Sequence, residues 1–263
     1  MIDSHLHLDD EKFAESFEQI IDDLPKHNIE FVINNSCDLH SMETGVKLAN
    51  AYPRVFATVG MHPHTASNFD DTFVQKMIAF AQNSKVVAVG EIGLDYFYDL
   101  SERQIQRDVF AEQLEIADKL GLPVTLHIRD AYGDAADILQ AQKAHLNHGV
   151  LWHCYSGSAE FARQMAKKGH YFAFGGAITF KNAQKQDVVA QIPIDNVLSE
   201  TDSPYMAPVP LRGTVNTPFN IPLVVKKLAE LYGVDEITME RKIHDNCLRF
   251  FQKIKVWKDT NGL

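Results

Sequence analysis

Val86-Val87-Ala88-Val89-Gly90-Glu91 sets four apolar residues in a row and ends them on a carboxylate. A run that is apolar at every position, not at every second one, suits a strand buried on both faces, as in a parallel sheet covered by helices. The same design recurs along the chain. β-rich segments fall at residues 1–5, 31–34, 55–59, 86–91, 124–127, 150–153, 171–174 and 197–200. Each is followed by helix-like sequence or a polar loop. Eight strand-then-helix repeats in 263 residues predict a single-domain α/β protein, a TIM-type (β/α)8 barrel spanning residues 1–263. An open doubly wound sheet is the rival. It is weakened because no GxGxxG or GxxxxGK[ST] loop follows an early strand.

The intervening segments carry helix signals. Ser101-Glu102-Arg103-Gln104 reads as a capping box, with Ser101 as N-cap. Gly121-Leu122-Pro123 closes that helix, and Pro222 and Gly233 bracket a later one. Ile243, Cys247, Phe250 and Phe251 form the apolar stripe of a last helix. Residues 202–222 form the longest irregular stretch, with four prolines before Pro222. Loops of that length often carry function.

The polar residues that end these strands carry the chemistry. His5-Leu6-His7 closes the first segment, and residues two apart on a strand share a face, so both imidazoles can serve one metal ion. Glu91 ends the fourth segment, His127 the fifth and His153 the sixth, and Asp202 follows the eighth. In a barrel all of these lie on the C-terminal rim, where barrel active sites form. One polar rim residue is ordinary; His5, His7, Glu91, His127, His153 and Asp202 together predict a shared metal site. Trp152 is expected to pack behind that site, and Cys154, by strand alternation, to face away from it. Asp95 and Tyr96 are expected to hold the loop after Glu91. His62 and His64 flank Pro63, where one histidine can cap a turn or both can meet substrate. Arg129 and Arg212 are candidates for a substrate phosphate.

A formal charge of −10 argues against a protein that holds long nucleic acid on a basic surface. It leaves room for a nuclease, because bound divalent cations reverse the local potential of an acidic site. Three cysteines without a CxxC pair predict free thiols and a reducing, cytoplasmic setting. Met1 is followed at once by Ile2-Asp3-Ser4-His5, so no secretory signal is expected, and no apolar run is long enough to span a bilayer. No obligate protein partner is evident.

The motifs Asp3-Ser4-His5-Leu6-His7, Gly60-Met61-His62-Pro63-His64, Gly90-Glu91-Ile92-Gly93-Leu94-Asp95-Tyr96, His127-Ile128-Arg129-Asp130-Ala131, His153-Cys154-Tyr155-Ser156-Gly157 and Glu200-Thr201-Asp202-Ser203-Pro204 occur in this order. In that order the chain resembles the TatD-like metal-dependent deoxyribonucleases of the amidohydrolase superfamily, from Asp3 to about Phe250. The resemblance implies two divalent metal ions, with Mg, Mn and Zn all open as identities. It implies His5 and His7 on one ion, His127 and His153 on the other, and Glu91 bridging. Asp202 would bind the first ion and accept a proton from the attacking water. His62 and His64 would lie near substrate. The implied substrate is a DNA end, cut at a phosphodiester by a metal-activated water. A hydrolase of small esters, amides or lactones is the alternative that the same metal logic serves. The chain departs from the family at Tyr155, where Phe is more frequent, and at Val215-Asn216-Thr217-Pro218, where Arg-Asn-Glu-Pro is frequent.

Overall fold

The computed structural model describes residues 1–183 and 185–261. The strands are β1 Ile2–Leu6, β2 Phe31–Asn34, β3 Val55–Val59, β4 Val86–Asp95, β5 Val124–Arg129, β6 Val150–Trp152, β7 Tyr171–Phe174 and β8 Val197–Ser199. They form one sheet in sequence order, β1 through β8. The ends of that order also meet. Leu6 bridges Ser203, the amide of Asp202 donates to His5 O (2.9 Å), and the amide of His7 donates to Ser203 O (2.8 Å). Eight strands in sequence order with the last returned to the first, and helices between them, make the predicted (β/α)8 barrel fold.

By its contacts the chain divides into two compact units. The first comprises Met1–Asn34, Tyr52–Val55 and Cys154–Phe250, and so carries β1, β2, β7 and β8. Its strands bury Leu6, Val32, Phe172 and Leu198 completely. The second comprises Asn35–Ala51, Phe56–His153 and Phe251–Leu263, with most of β3 and all of β4, β5 and β6. All ten residues of β4 are buried, as the unbroken apolar run required.

Four local expectations need correcting. β4 does not stop at Glu91 but continues to Asp95, paired with β5 through Ile92–Leu126, Gly93–His127 and Asp95–Arg129. Glycine permits this: Gly93 has φ +139°, and a Cβ there would lie 2.2 Å from His127 O. β6 ends at Trp152, so strand alternation does not govern Cys154. That residue takes φ +43°, is half-buried, and its amide donates to Glu200 Oε1 (2.6 Å). Ser101 does not cap its helix, which begins at Arg103 with Glu102 as N-cap. The Ser101 hydroxyl instead donates to His64 O (3.1 Å) and accepts from the Ser67 amide (3.3 Å), joining two loops. The Ile243–Phe250 stripe lies on the helix Glu236–Phe250, and one more helix, Gln252–Asn261, follows it. Gly121 and Gly233 do end their helices in the left-handed conformation. Among the described residues no helix is long and apolar enough to cross a membrane.

Candidate metal centre

In the second unit the ligand candidates gather around Glu91. Its backbone is fixed by the amide, which donates to Ser36 O (2.9 Å), and by Gly90, where a Cβ would lie 2.8 Å from that of Thr125. From this buried position Glu91 Oε1 lies 2.9 Å from His127 Nδ1 and 2.9 Å from His153 Nε2. Ligand atoms of these three residues all lie within 4.8 Å of one another. One carboxylate oxygen facing two imidazole nitrogens is a donor set that suits a divalent transition metal or zinc. The residues therefore fit the metal that their types implied. Cys37 Sγ stands 4.0 Å from Glu91 Oε2, a neighbour that spacing along the sequence did not announce.

Two more histidines and an aspartate extend this cluster. His62 Nδ1 accepts from the His64 amide (3.1 Å), so His62 does cap the Pro63 turn. Its Nε2 remains 3.8 Å from Glu91 Oε1. Burial, and then the neighbouring His127, push its pKa well below the ordinary histidine range. The fully buried Asp95 accepts at Oδ2 from His127 Nε2 (2.9 Å) and from His64 Nε2 (3.0 Å). At Oδ1 it accepts the amides of Phe97 (3.0 Å) and Tyr98 (2.8 Å). Burial alone would raise Asp95, but the hydrogen bonds from His127, Tyr98 and His64 hold it below the usual carboxylate range. For His127 the order is the same: burial lowers its pKa, while Asp95 and Glu91 outweigh burial and raise it. From its place after Glu91, Asp95 is expected to hold the loop. It has that role and also orients two imidazoles.

In the first unit, His5, His7 and Asp202 come together. Asp202 Oδ1 lies 3.9 Å from His5 Nε2 and 3.5 Å from His7 Nε2. The β1–β8 pairing places them there, and Asp202 adopts φ +56°, a conformation that aspartate tolerates better than most residues. Behind them, buried Asp3 accepts from the Thr201 amide (2.9 Å) and hydroxyl (2.5 Å), which ties the two strand ends together. Burial pushes the Asp3 carboxyl up to about 8 against those hydrogen bonds.

The remaining candidates lie beside these sets. The Arg129 guanidinium covers the Phe97 ring at 3.8 Å and lies 5.0 Å from that of Tyr98. Arg212 covers Phe180 at 4.2 Å on an exposed loop. Trp152 is buried and stacks on Tyr132, as expected of packing behind the ligands. Tyr96 is structural, its hydroxyl donating to Asp134 Oδ2 (2.7 Å).

Known proteins resemble the chain in sequence and in fold. Residues 2–252 match the family model described as TatD related DNase. The chain is 36% identical over 253 residues to the uncharacterized metal-dependent hydrolase YabD of Bacillus subtilis, covering 96% of this chain and 99% of that one. It is 33% identical over 255 residues to the uncharacterized metal-dependent hydrolase YcfH of Escherichia coli, covering 95% of each. The crystal structure of YjjV, a TatD homologue of E. coli, superposes with a TM-score of 0.89 at 29% identity, covering 96% of this chain and 98% of that one. Matched along nearly its whole length by sequence and by structure, the chain belongs to the TatD family of metal-dependent hydrolases.

Proposed function

We propose that the protein is a deoxyribonuclease that cleaves phosphodiester bonds at DNA ends with a metal-activated water, using two divalent cations. The observation that carries the reading is the placement of Glu91 Oε1 at 2.9 Å from nitrogens of both His127 and His153. Glu91, His127 and His153 would hold one cation; His5, His7 and Asp202 would hold the other. Bound divalent cations supply Lewis acidity, lowering the pKa of the attacking water and offsetting charge on the phosphoryl oxygens. Asp202 accepts the proton of the attacking water at a carboxylate oxygen, with His5 Nε2 and His7 Nε2 at 3.9 and 3.5 Å from its Oδ1. No serine or cysteine nucleophile is called for. Asp95 keeps the His127 ring oriented through Nε2. In this reading His62 and His64 would meet substrate beside the Glu91 cluster, which His62 Nε2 approaches to 3.8 Å at Oε1. The family's DNase description supports the choice of nucleic acid. The free thiols of Cys37, Cys154 and Cys247 suit a cytoplasmic setting.

The test is a matched panel. Purified protein, loaded in turn with Mg, Mn and Zn, is assayed on single-stranded DNA, duplex DNA, aryl esters and lactones. Degradation of single-stranded DNA from its ends is the expected result. Efficient ester or lactone turnover with no DNA degradation under any metal would replace the nuclease by a small-molecule hydrolase.

A further inference from the structure

The loop that leaves β4 exposes side chains that a folded chain ordinarily buries. Phe97 is 55% exposed, Tyr98 53% and Leu100 65%. Clustered apolar exposure of this kind marks a contact surface more often than accident. The backbone beneath these rings is tied down. Asp95 Oδ1 accepts the amides of both Phe97 and Tyr98, which fixes the backbone under the two side chains. The rings stand perpendicular, with centroids 5.0 Å apart. The Arg129 guanidinium, at the end of β5, lies 3.8 Å from the Phe97 ring centroid and 5.0 Å from that of Tyr98. The result is a preoriented surface of two aromatic rings and one delocalised cation.

This surface is continuous with the Glu91 cluster. Tyr98 meets the His64 ring edge-on at 5.3 Å. His64 shares Asp95 with His127, and Arg129 stands two residues beyond His127 on the same strand. A substrate whose reacting group sits at Glu91, His127 and His153 would carry its neighbouring substituent toward Phe97 and Tyr98.

We propose that Phe97, Tyr98 and Arg129 form a stacking subsite for an unpaired nucleobase next to the scissile phosphate. The proposal rests on the nuclease reading and deepens it. An aromatic face and a guanidinium recognise the π-face that every base has, so the subsite is indifferent to sequence. It also reconciles the substrate with the net charge of −10. Affinity drawn from stacking needs few phosphate contacts, so it is only weakly sensitive to salt. A base held between duplex neighbours cannot present its face, and unpaired ends are selected on that ground.

The test compares two substrates in steady-state cleavage by the full-length, metal-loaded protein. One is a single-stranded decamer of thymidylate; the other is a decamer of the same backbone with abasic sugars. Wild type should show a KM for the base-bearing strand about tenfold or more below that for the abasic strand. Phe97→Ala and Tyr98→Ala should each raise the thymidylate KM several-fold, change kcat little, and leave the abasic KM unmoved. Phe97→Trp should restore the wild-type value. Both side chains are exposed, so these variants keep the fold, and circular dichroism verifies it. Wild type that cleaves both strands with equal KM, or variants that keep the wild-type preference, would overturn the subsite and leave the nuclease standing. Cleavage of neither strand with Mg, Mn or Zn would remove the nuclease reading and the subsite with it.

Discussion

Asp95 Oδ2 lies 2.9 Å from Nε2 of His127, on the opposite side of the ring from the nitrogen that faces Glu91. A carboxylate in that position accepts the Nε2 proton and leaves the lone pair on Nδ1, where a metal can use it. In Asp95→Asn, the amide oxygen would stay with the Phe97 and Tyr98 amides, and the amide nitrogen would turn to His127. The ring would then carry its proton on Nδ1. We expect metal affinity to fall by about ten- to a hundredfold with the fold intact, measured by calorimetric titration of Zn or Mn. Unchanged affinity would limit Asp95 to holding its loop.

Removing ligands should separate metal content from stability. His153→Ala deletes one of the two nitrogens at 2.9 Å from Glu91 Oε1. Elemental analysis after mild dialysis should find less metal per chain than in wild type. Glu91→Gln keeps the shape but removes the charge that would offset the cation at His127 and His153. It should lose an ion and slow turnover by several orders of magnitude, while thermal unfolding remains cooperative.

Asp202 combines a chemical role with a backbone one. At φ +56°, asparagine is tolerated nearly as well as aspartate, whereas alanine costs about 1 kcal/mol or more. Asp202→Asn should therefore lose at least about a hundredfold in kcat with little change in Tm. Asp202→Ala should lose the same activity and lower Tm as well. Equal Tm in the two variants would show that this left-handed position does not favour asparagine over alanine.

His170 gives the fold an acid-sensitive point remote in sequence from every ligand. It is 6% exposed, and burial, with a smaller contribution from Lys168, depresses its pKa to about 4. In the unfolded chain it would titrate near its ordinary value of about 6.5. Above that value both states are neutral and the residue is silent. As pH falls from about 6.5 to about 4, the unfolded chain takes up a proton that the native one refuses, and stability declines. Below about 4 both are charged and the decline stops. A shift of this size corresponds to about 3 kcal/mol across the window. His170→Gln should flatten the wild-type loss of urea stability between pH 7 and pH 4.5. A parallel loss in the variant would assign the acid sensitivity to other groups.

The fold was legible because its strands are buried on both faces and so read as apolar runs, of which residues 86–89 are the plainest. The ligand candidates were legible as polar residues at the ends of such runs. Pairing was not legible. That Glu91 meets His127 and His153 depends on strand register, which Gly90 and Gly93 set by close approach. The role of Asp95 was only half visible, because its two oxygens serve a loop and a pair of imidazoles at once. Ser101 misled because a serine with Gln three residues on matches a capping box, while the actual hydroxyl partners, His64 and Ser67, lie more than thirty residues away. Phe97 and Tyr98 carry no mark in the sequence that distinguishes an exposed aromatic from a core one.

The meeting of β1 with the segment after β8 also governs when His5, His7 and Asp202 can come together. Asp3 and Thr201, joined by hydrogen bonds, are 198 positions apart. During synthesis His5 and His7 leave the ribosome early, and most of the chain must follow before Asp202 exists to face them. Contacts that span so much sequence form late, since chain entropy must be lost before they reward it. Glu91, His127 and His153, by contrast, are all made while the last third of the chain is still unwritten. A chain truncated before Asp202 would hold Glu91, His127 and His153 but lack the carboxylate proposed to serve the attacking water.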